Sequence, residues 1–420
     1  MKRIFYLAIT VLSIVSCKKT NTIPTEKNDI VYVETNNYQN NQNAVLAYHD
    51  NGNGKLEQLA GSPFLTNGAG VSNLGQVLGP LDSDYELRVS SDGQFLLAVN
   101  SGSNTIAVFS IKSNGALQPV AGSPFPSGGQ TPVSIDVSGN NVFVVNKSND
   151  PMQATPLAPN YTTFTIDGSG TLTPVAGGKF ETTPGTSPSQ ALVSRDKKFL
   201  FGSDFLGIML NPPVGTLRSF TIAGTGVLTP VAGSPYVLPN SATAPDNTAL
   251  GLWQHPSGNP LYVGIPLQGK IGVFNVNAAT GALTLQSTVA AGKAVCWIRT
   301  NKAGDHLYTL NSADNAVQVY DTSNPMSPAS VQTLELKNSG PAYGDAAFKT
   351  SQAFSLAFSS TEKILYVVSQ HTNTDFSIGN FNYLHALTVA DNGMLTENTE
   401  PIQLPVANTI RPKGTAVVSR

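Results

Sequence analysis

The sequence is poor in charge and in cysteine, and it has no excess of basic residues. Only 12% of its 420 residues are charged, and 24 Lys and Arg side chains stand against 26 Asp and Glu. A strongly electrostatic nucleic-acid binder shows a basic excess, so that class of protein is excluded. Low charge together with 38 glycines also excludes a helix bundle or coiled coil, which needs Glu, Lys, Ala and Leu in bulk.

Several chemical signatures are missing as well. The sequence contains neither an Asp-x-Asx-x-Asx-Gly loop nor an HExxH motif, so no metal site is predicted. A glycine-rich phosphate loop is also missing, and we expect no cofactor. One of the two cysteines, Cys296, lies in an apolar run and is interpreted as a small buried side chain.

The first residues of the chain have the features of an export signal. Residues 1–3 are basic, and residues 4–15 form a mostly apolar run that is too short to span a bilayer. The run ends at Cys17 in a sequence that resembles a bacterial lipobox, in which the cysteine is acylated. We therefore expect a lipoprotein signal peptide over residues 1–16 and a lipidated, polar tether over residues 17–28. The alternative is an ordinary secretory signal in which the cysteine is incidental.

This interpretation predicts a location in the bacterial cell envelope. The protein would be held at the outer membrane by its lipid alone, facing either the periplasm or the outside. No other contact with a membrane and no nucleic-acid partner is expected.

An eleven-residue motif recurs along the chain and indicates a repeat architecture. Its copies are GKLEQLAGSPF from Gly54, GALQPVAGSPF from Gly115, GTLTPVAGGKF from Gly170 and GVLTPVAGSPY from Gly226, with weaker copies from Gly281 and Gly393. Neighbouring copies lie 55 to 61 residues apart, and the last interval leaves room for a degenerate copy near residue 330. Seven units of this length indicate an array, a solenoid or a propeller.

Each unit contains four short runs that are typical of β-strands rather than helices. In the clearest unit these runs are residues 86–89, 95–100, 105–111 and 117–121. We call the four strands a to d, from the inside of the unit to the outside. Seven units of four antiparallel strands predict an all-β protein, a seven-bladed β-propeller.

The two ends of the chain predict how the ring closes. Residues 30–33 stand where a strand b belongs, with no strand a before them, and residues 413–419 form a lone strand a. We therefore expect the C-terminal inner strand to complete the N-terminal blade, in a propeller domain over residues 29–420. This closure removes the open sheet edges that would promote aggregation.

The repeat resembles that of a known family. Units of the form G-x-L-T-P-V-A-G-S-P-F, followed by a strand, D-G and F-L-x-x-V-N, resemble the seven-bladed propellers of the lactonase (6-phosphogluconolactonase-like) family. The resemblance covers roughly residues 29–420. It implies lactone hydrolysis, or a related lactone reaction, in a pocket at the centre of the ring. The fold follows from it more directly than the activity, because one fold hosts many functions.

Loop lengths distinguish the two faces of the predicted ring. The long connections are 147–160, 205–214 and 370–380 between strands b and c, and 65–84, 237–245 and 338–350 between strand d and the next strand a. Both kinds emerge on one face, which we call the long-loop face; the short a-to-b and c-to-d turns form the opposite, tight-turn face. We expect the long-loop face to bind a small molecule, a glycan or a protein. The alternative is that these loops merely tolerate variation.

The histidine that the family resemblance implies is missing from its expected place. It should follow a proline at the start of an inner strand, but residues 131–133, 187–189 and 411–413 contain no histidine. Of the five histidines, His371 alone falls on the long-loop face, and it is therefore the candidate base for hydrolysis. A Ser-His-Asp triad is not predicted, because the fold has no strand-to-helix elbow for a nucleophile.

Further polar candidates lie near the starts of the inner strands. They are Asp84, Glu86, Gln190, Lys293, Gln352, Arg411 and Lys413. Together they would line a pocket for an anionic or polyhydroxylated ligand, with the lysines and the arginine as its cationic part. The alternative is that they simply face a water-filled channel.

Two functions remain open at this point. A lipid-anchored binding or scaffold propeller agrees with the lipobox, the one-sided loops and the missing histidine, and it is the preferred interpretation. A lactone hydrolase, which cleaves a carboxylic ester, rests on the family resemblance. A quinone- or nucleotide-dependent oxidoreductase is disfavoured because the sequence carries no cofactor signal.

Overall fold

The fold is described from a computed structural model of the chain. It describes residues 1, 28–73, 78–148, 157–205, 215–239, 248–375 and 377–420. The predicted signal peptide and the lipidation site Cys17 lie outside these residues. In the described part, no helix has the length and apolar character needed to cross a membrane. Two short 3₁₀ helices are described, Pro266–Gln268 and Ser312–Asp314.

Seven antiparallel sheets form the blades of a propeller, each with the strand order a-b-c-d. Blade 1 comprises Lys413–Ser419, Asp29–Glu34, Ala44–Asp50 and Leu56–Gln58; blade 2 Leu87–Val89, Phe95–Asn100, Thr105–Ile111 and Leu117–Pro119; blade 3 Pro132–Ser138, Asn141–Asn146, Asn160–Ile166 and Leu172–Glu181; blade 4 Pro188–Val193, Phe199–Asp204, Thr216–Ile222 and Leu228–Pro230. Blade 5 comprises Leu250–Gln254, Leu261–Ile265, Lys270–Val276 and Leu283–Ala290; blade 6 Val295–Thr300, His306–Asn311, Ala316–Asp321 and Ala329–Glu335; blade 7 Ser351–Phe358, Ile364–His371, Tyr383–Val389 and Leu395–Thr396.

Short extra strands complete the outer edges of four blades. Phe64–Leu65, Phe125–Pro126, Tyr236–Val237 and Ile402–Gln403 pair with the c strands of blades 1, 2, 4 and 7. A separate hairpin of Ala342–Tyr343 and Phe348–Lys349 lies in the connection from blade 6 to blade 7.

The ring closes as the sequence predicts. Strand a of blade 1, Lys413–Ser419, pairs antiparallel with Asp29–Glu34 and also contacts the inner strands of blades 2 and 7. Next to this pair, the Asn28 N–H donates to the Arg420 carbonyl at 3.0 Å. The predicted seven blades and the shared first blade are therefore confirmed. Residues 28 and 420 lie together on the tight-turn face, because strand b starts there and strand a ends there.

The Ser-Pro pair of the repeat motif interrupts strand d. In blade 1 the Ser62 hydroxyl accepts the Ala47 N–H at 3.0 Å, so a side chain takes the place of a backbone partner where strand d leaves the ladder. Ser123 and Ser234 do the same in blades 2 and 4. Blade 3 has Gly178-Lys179 at this point, and its strand d runs unbroken from Leu172 to Glu181. The Ser-Pro pair of the motif therefore has a structural role at the outer edge of the blade.

The first glycine of the motif joins neighbouring blades. Gly115 has a φ of 82°, a conformation that favours glycine, and its carbonyl accepts a hydrogen bond from the buried Tyr32 hydroxyl of blade 1 at 2.7 Å. Gly393 accepts one from the buried Tyr308 hydroxyl of blade 6 at 2.9 Å. The apolar core lies between the blades, where it surrounds such contacts; one cluster packs Tyr32 of blade 1 against Phe109 of blade 2.

Candidate functional site

A cavity of about 620 Å³ opens at the centre of the ring on the tight-turn face. Its rim consists of a-to-b turns and includes Arg195, Lys302 and Glu362. Its walls are the last residues of inner strands, including Leu87–Val89 and residues 415–417. We call this cavity the funnel. It lies on the face opposite to the one for which the sequence predicts ligand binding.

Three arginines and two aromatic rings alternate across the funnel. The Arg88 and Arg299 guanidinium carbons lie 4.0 and 4.5 Å from the centre of the Tyr85 ring. Arg299 also lies 5.0 Å from the Trp253 ring, and Arg195 lies 4.5 Å from that ring. Contacts of this kind are worth about 0.5–1 kcal/mol when exposed and about 2 when desolvated. We call these five residues the Arg–aromatic stack.

Two of the three arginines are neutralised by buried carboxylates. Both terminal nitrogens of Arg299 donate to Asp84, each at 2.8 Å, and Arg88 Nη2 lies 2.5 Å from Asp136 Oδ1. Both carboxylates are almost fully buried.

Arg195 is different from the other two. Its Nε and Nη2 donate to the Gln254 carbonyl at 3.1 and 2.9 Å, and it takes part in none of the ion pairs found among the described residues. The residue is exposed. Burial of its guanidinium lowers the pKa of Arg195, but an arginine remains charged at any physiological pH. Arg195 is therefore an accessible cation of the funnel without a carboxylate partner.

A segment of the connection from blade 1 to blade 2 closes the ring on the other side. The Gly79 N–H donates to Gln370 Oε1 of blade 7 at 2.9 Å, and Trp297 Nε1 of blade 6 donates to the Ser83 carbonyl at 3.0 Å. From blade 3, Lys147 Nζ donates to the carbonyls of Leu81 and Asp82. A segment that contacts blades on opposite sides of the ring must cross its centre. We call residues 79–84 the plug.

Four of the sequence-predicted ligand residues meet beside the plug. Gln190 Nε2 lies 3.4 Å from Asp84 Oδ2, and the Gln190 amide also pairs with both backbone groups of Leu252. Glu86 Oε1 accepts the Ser83 hydroxyl at 2.9 Å. Lys413 is buried, and its Nζ has no hydrogen-bond partner. Asp84, Gln190 and Glu86 thus connect the plug with the inner strands, and none of the four residues lines the funnel.

Burial shifts the proton affinities in this region. It raises the pKa of Glu86 to about 7, although the nearby Lys413 opposes the shift. A further residue, Glu34 at the end of strand b of blade 1, has its pKa raised to about 8 by burial, again opposed by Lys413. Burial also lowers the pKa of Lys147 to about 8. Sequence reasoning did not single out Glu34 or Lys147, which have no motif around them.

His371 and Arg411 lie near each other on the long-loop face. The His371 ring is half-buried, and burial together with the Arg411 charge lowers its pKa. Arg411 is buried, and its Nη1 lies 3.4 Å from Asn382 Oδ1. This pair combines a neutral imidazole with a cation, on the opposite side of the ring from the funnel.

The last two sequence-predicted ligand residues lie neither beside the plug nor near the pair of His371 and Arg411. Gln352 Nε2 donates to the Tyr343 hydroxyl at 3.2 Å. Lys293 Nζ lies 3.4 Å from Asp314 Oδ1 and is partly exposed. Both contacts are with the connections around blades 6 and 7, and neither residue lines the funnel.

Blade 7 contains a Ser-His-Glu relay that the sequence does not predict. Ser369 Oγ lies 2.9 Å from His385 Nε2, and His385 Nδ1 lies 2.7 Å from Glu397 Oε1. The distances are those of a catalytic triad. Ser369 and His385 are completely buried, however, so no substrate reaches the hydroxyl. The relay links strands b and c to the residues that follow strand d, and its role is structural.

Three residues of the funnel, and the carboxylate that pairs with one of them, share a position in the repeat. Arg88, Asp136, Trp253 and Arg299 each stand two residues before the polar residue that starts the a-to-b turn. Aligning the repeats of the sequence would therefore have shown that this position carries a charged side chain or an aromatic ring in four blades. Loop length pointed instead to the other face.

The fold and the funnel define a seven-bladed propeller with a cationic central site. A family model described as "Lactonase, 7-bladed beta-propeller" matches residues 25–160 and 260–347. The match covers more than half of the chain, and the chain belongs to this family.

Solved structures with the same fold span nearly the whole chain. A proposed 6-phosphogluconolactonase from Bacteroides fragilis aligns with a TM-score of 0.67 at 17% identity, covering 94% of this chain and 99% of its own. A periplasmic gluconolactonase from Pseudomonas aeruginosa aligns with a TM-score of 0.65 at 16% identity, covering 93% and 99%. At this identity the likeness shows the fold alone. A search of curated protein sequences gives no significant match.

Proposed function

We propose that the protein binds a small organic anion in the funnel. The observation that carries this proposal is Arg195, an exposed residue on the rim of a central cavity, whose guanidinium packs on the Trp253 ring and has no carboxylate partner. A guanidinium presents a planar fork of donors that matches a carboxylate. A cavity of about 620 Å³ also has the size of a small-molecule site.

The family adds support for a carboxylate or its lactone. The Pseudomonas aeruginosa structure is named as a gluconolactonase, and opening a lactone ring produces a hydroxy carboxylate. A site built for such a compound needs a cation for the carboxylate and apolar surface for the carbon skeleton. Arg195 provides the cation, and Phe358 and Val417 provide apolar surface in the cavity lining.

Binding is favoured over hydrolysis by the groups that line the funnel. Hydrolysis needs a base with a suitable pKa beside the reacting carbonyl. Among the described lining residues the one carboxylate is Glu362, which sits on the rim and accepts the Lys302 N–H at 2.8 and 3.0 Å through its two oxygens. No histidine lines the described part of the cavity.

Calorimetric titration of the purified protein with small carboxylates tests the proposal. We expect binding that weakens at least tenfold in Arg195→Ala. Lys198→Ala is the matched control, because Lys198 is an exposed cation on the same turn and does not line the funnel. An equal loss of carboxylate affinity in both variants, or no binding of any carboxylate by the wild type, would overturn the proposal.

A second candidate is lactone hydrolysis on the long-loop face. The observation that favours it is the half-buried His371, whose pKa is lowered and which lies near the Arg411 cation. A neutral imidazole can accept a proton from water, and a guanidinium can stabilise the developing oxyanion. Acid release from a panel of lactones, followed at constant pH, would depend on His371 if this site hydrolyses them. Dependence on Arg195 instead would place turnover in the funnel.

The predicted envelope location and partner face remain proposals. Anchoring through Cys17 is supported by the lipobox-like sequence. A partner on the long-loop face is supported by large apolar side chains that are exposed in its connections: Tyr38, Leu65, Leu157, Val237, Leu267, Ile378 and Phe381. Exposed apolar side chains that share a surface mark interaction sites more often than scattered ones do.

A further inference from the structure

The charges around the funnel leave a surplus of one positive charge. Arg88 is paired with Asp136, and Arg299 with Asp84. On the rim, Lys302 and Glu362 contribute one charge of each sign; the Glu362 carboxylate accepts the Lys302 backbone N–H, and Lys302 Nζ donates to the Ser360 carbonyl at 2.7 Å. The described lining and the carboxylates paired with it therefore carry one net positive charge, and Arg195 is the arginine of the lining without a carboxylate partner. A ligand that matches this site carries one negative charge.

The two halves of the funnel differ in chemistry. Blades 4, 5 and 6 contribute Arg195, Trp253 and Arg299. Across the ring, blades 7, 1 and 2 contribute the half-buried apolar side chains Phe358, Val417 and Val89, next to Arg88, which is paired with Asp136, and to Glu362 on the rim. A ligand that fills the cavity therefore has its charge on one side and meets an apolar wall on the other.

We infer that the funnel selects a monocarboxylate with an apolar body over phosphorylated and over polyhydroxylated compounds. This inference rests on the proposed function and names its ligand class. It follows from the single net positive charge of the funnel and from the apolar side chains that lie across the ring from Arg195.

A phosphate monoester meets an electrostatic penalty in this site. At pH 8 it carries close to two negative charges, because its second pKa is near 6. Arg195 compensates one of them. The funnel offers the second charge no further unpaired arginine, because Arg88 and Arg299 are already held by the buried carboxylates of Asp136 and Asp84.

A polyhydroxylated carboxylate meets a different penalty. Its hydroxyl groups lose their hydrogen bonds to water when they are pressed against Phe358, Val417 and Val89. Apolar side chains provide no replacement, and an unsatisfied buried polar group is costly. A body without hydroxyl groups avoids this loss and gains from burial of its apolar surface.

Probes that differ in charge and in hydroxylation separate these effects. Cyclohexanecarboxylate, the neutral cyclohexanecarboxamide, cyclohexyl phosphate and gluconate are titrated into the purified protein at pH 8 by calorimetry. We expect the cyclohexanecarboxylate to bind at least tenfold more tightly than each of the other three. Arg195→Ala should abolish its advantage over the amide, and Lys198→Ala should preserve that advantage.

Each outcome bears on a different statement. If gluconate or cyclohexyl phosphate binds as tightly as cyclohexanecarboxylate, the inference is overturned while the proposed function stands. Equal affinity for the carboxylate and the amide overturns the charge argument. If none of the three anions binds, the proposed function itself fails. Trp253 fluorescence provides a second readout, with Trp253→Phe as the variant that should lose the signal.

Discussion

Asp84 and Arg299 connect the two faces of the propeller. Asp84 is the last residue of the plug, and Arg299 lies in the wall of the funnel; their side chains meet through two hydrogen bonds of 2.8 Å. The segment that closes the ring on the long-loop side therefore also fixes one arginine of the Arg–aromatic stack. Both side chains are largely buried, so each depends on the other for its counter-charge.

Breaking this pair should destabilise the protein strongly. In Asp84→Asn the Arg299 charge stays buried without a carboxylate, and loss of one partner of a buried pair costs about 3–5 kcal/mol. Urea unfolding of the variant measures the change in free energy. The double variant Asp84→Asn with Arg299→Met removes both charges and should recover part of the loss. A cost below about 1 kcal/mol for the single variant would show that the pair is not needed.

Stability should fall as the pH rises from about 5 to about 8. Burial raises the pKa of Glu34 from 4.5 to about 8 and that of Glu86 from 4.5 to about 7. Over this range the folded protein keeps protons that the unfolded chain releases, so deprotonation favours unfolding by up to about 1.4 kcal/mol per pH unit for each group.

The opposite trend is expected above pH 8. The pKa of Lys147 falls from 10.5 to about 8, so here the unfolded chain binds the extra proton and stability rises with pH. The rise ends at about pH 9, because burial raises the pKa of several tyrosines and the unfolded chain then loses their protons first. Denaturant unfolding at a series of pH values should therefore show a minimum near pH 8. Glu34→Gln should reduce the fall in the free energy of unfolding below pH 8, and Lys147→Met should reduce its rise above pH 8. Substitution of an exposed carboxylate, Glu57→Gln, should change neither. A profile that rises steadily from pH 5 to 8 would contradict these assignments.

The Ser-His-Glu relay of blade 7 should matter for stability and not for activity. His385→Ala leaves the buried Glu397 and Ser369 without their shared partner, which should cost about 2–4 kcal/mol in thermal or urea unfolding. Ser369→Ala removes only the hydroxyl and should cost about 1 kcal/mol. Any lactone hydrolysis should survive in Ser369→Ala. Loss of turnover in this variant while the fold is retained would show that the serine is reached by substrate.

Lipid anchoring should depend on Cys17. In cells that process lipoproteins, wild-type protein should incorporate labelled palmitate and sediment with membranes. Cys17→Ala should lose the label and appear in the soluble fraction, because a protein without its acyl chains loses about 0.8 kcal/mol per buried methylene. Cys296→Ala is the matched control, since that thiol is buried in the propeller. Retention of the label in Cys17→Ala would contradict the lipoprotein assignment.

The architecture could be predicted because it is periodic and local. Strand alternation and turn residues repeat in every unit, and the predicted strands at 95–100, 105–111 and 413–419 match the structure to the residue. The missing strand at one end and the spare strand at the other then predicted the closure.

The candidate site could not be predicted in the same way. Arg88, Arg195, Trp253 and Arg299 come from four different blades and meet only because the ring closes. Loop length directed attention to the long-loop face, where residues 79–84 turn out to fold inward as the plug. Whether a polar side chain near an inner strand faces a ligand or a neighbouring blade depends on such tertiary contacts, as Gln190 and Glu86 show.

One titration tests the account most directly, because it distinguishes the two faces. Cyclohexanecarboxylate is titrated calorimetrically into wild-type protein, Arg195→Ala and His371→Ala. Our account predicts binding by the wild type, at least a tenfold loss in Arg195→Ala and unchanged affinity in His371→Ala. Loss of binding in His371→Ala with full affinity in Arg195→Ala would place the ligand on the long-loop face and contradict the assignment of the funnel.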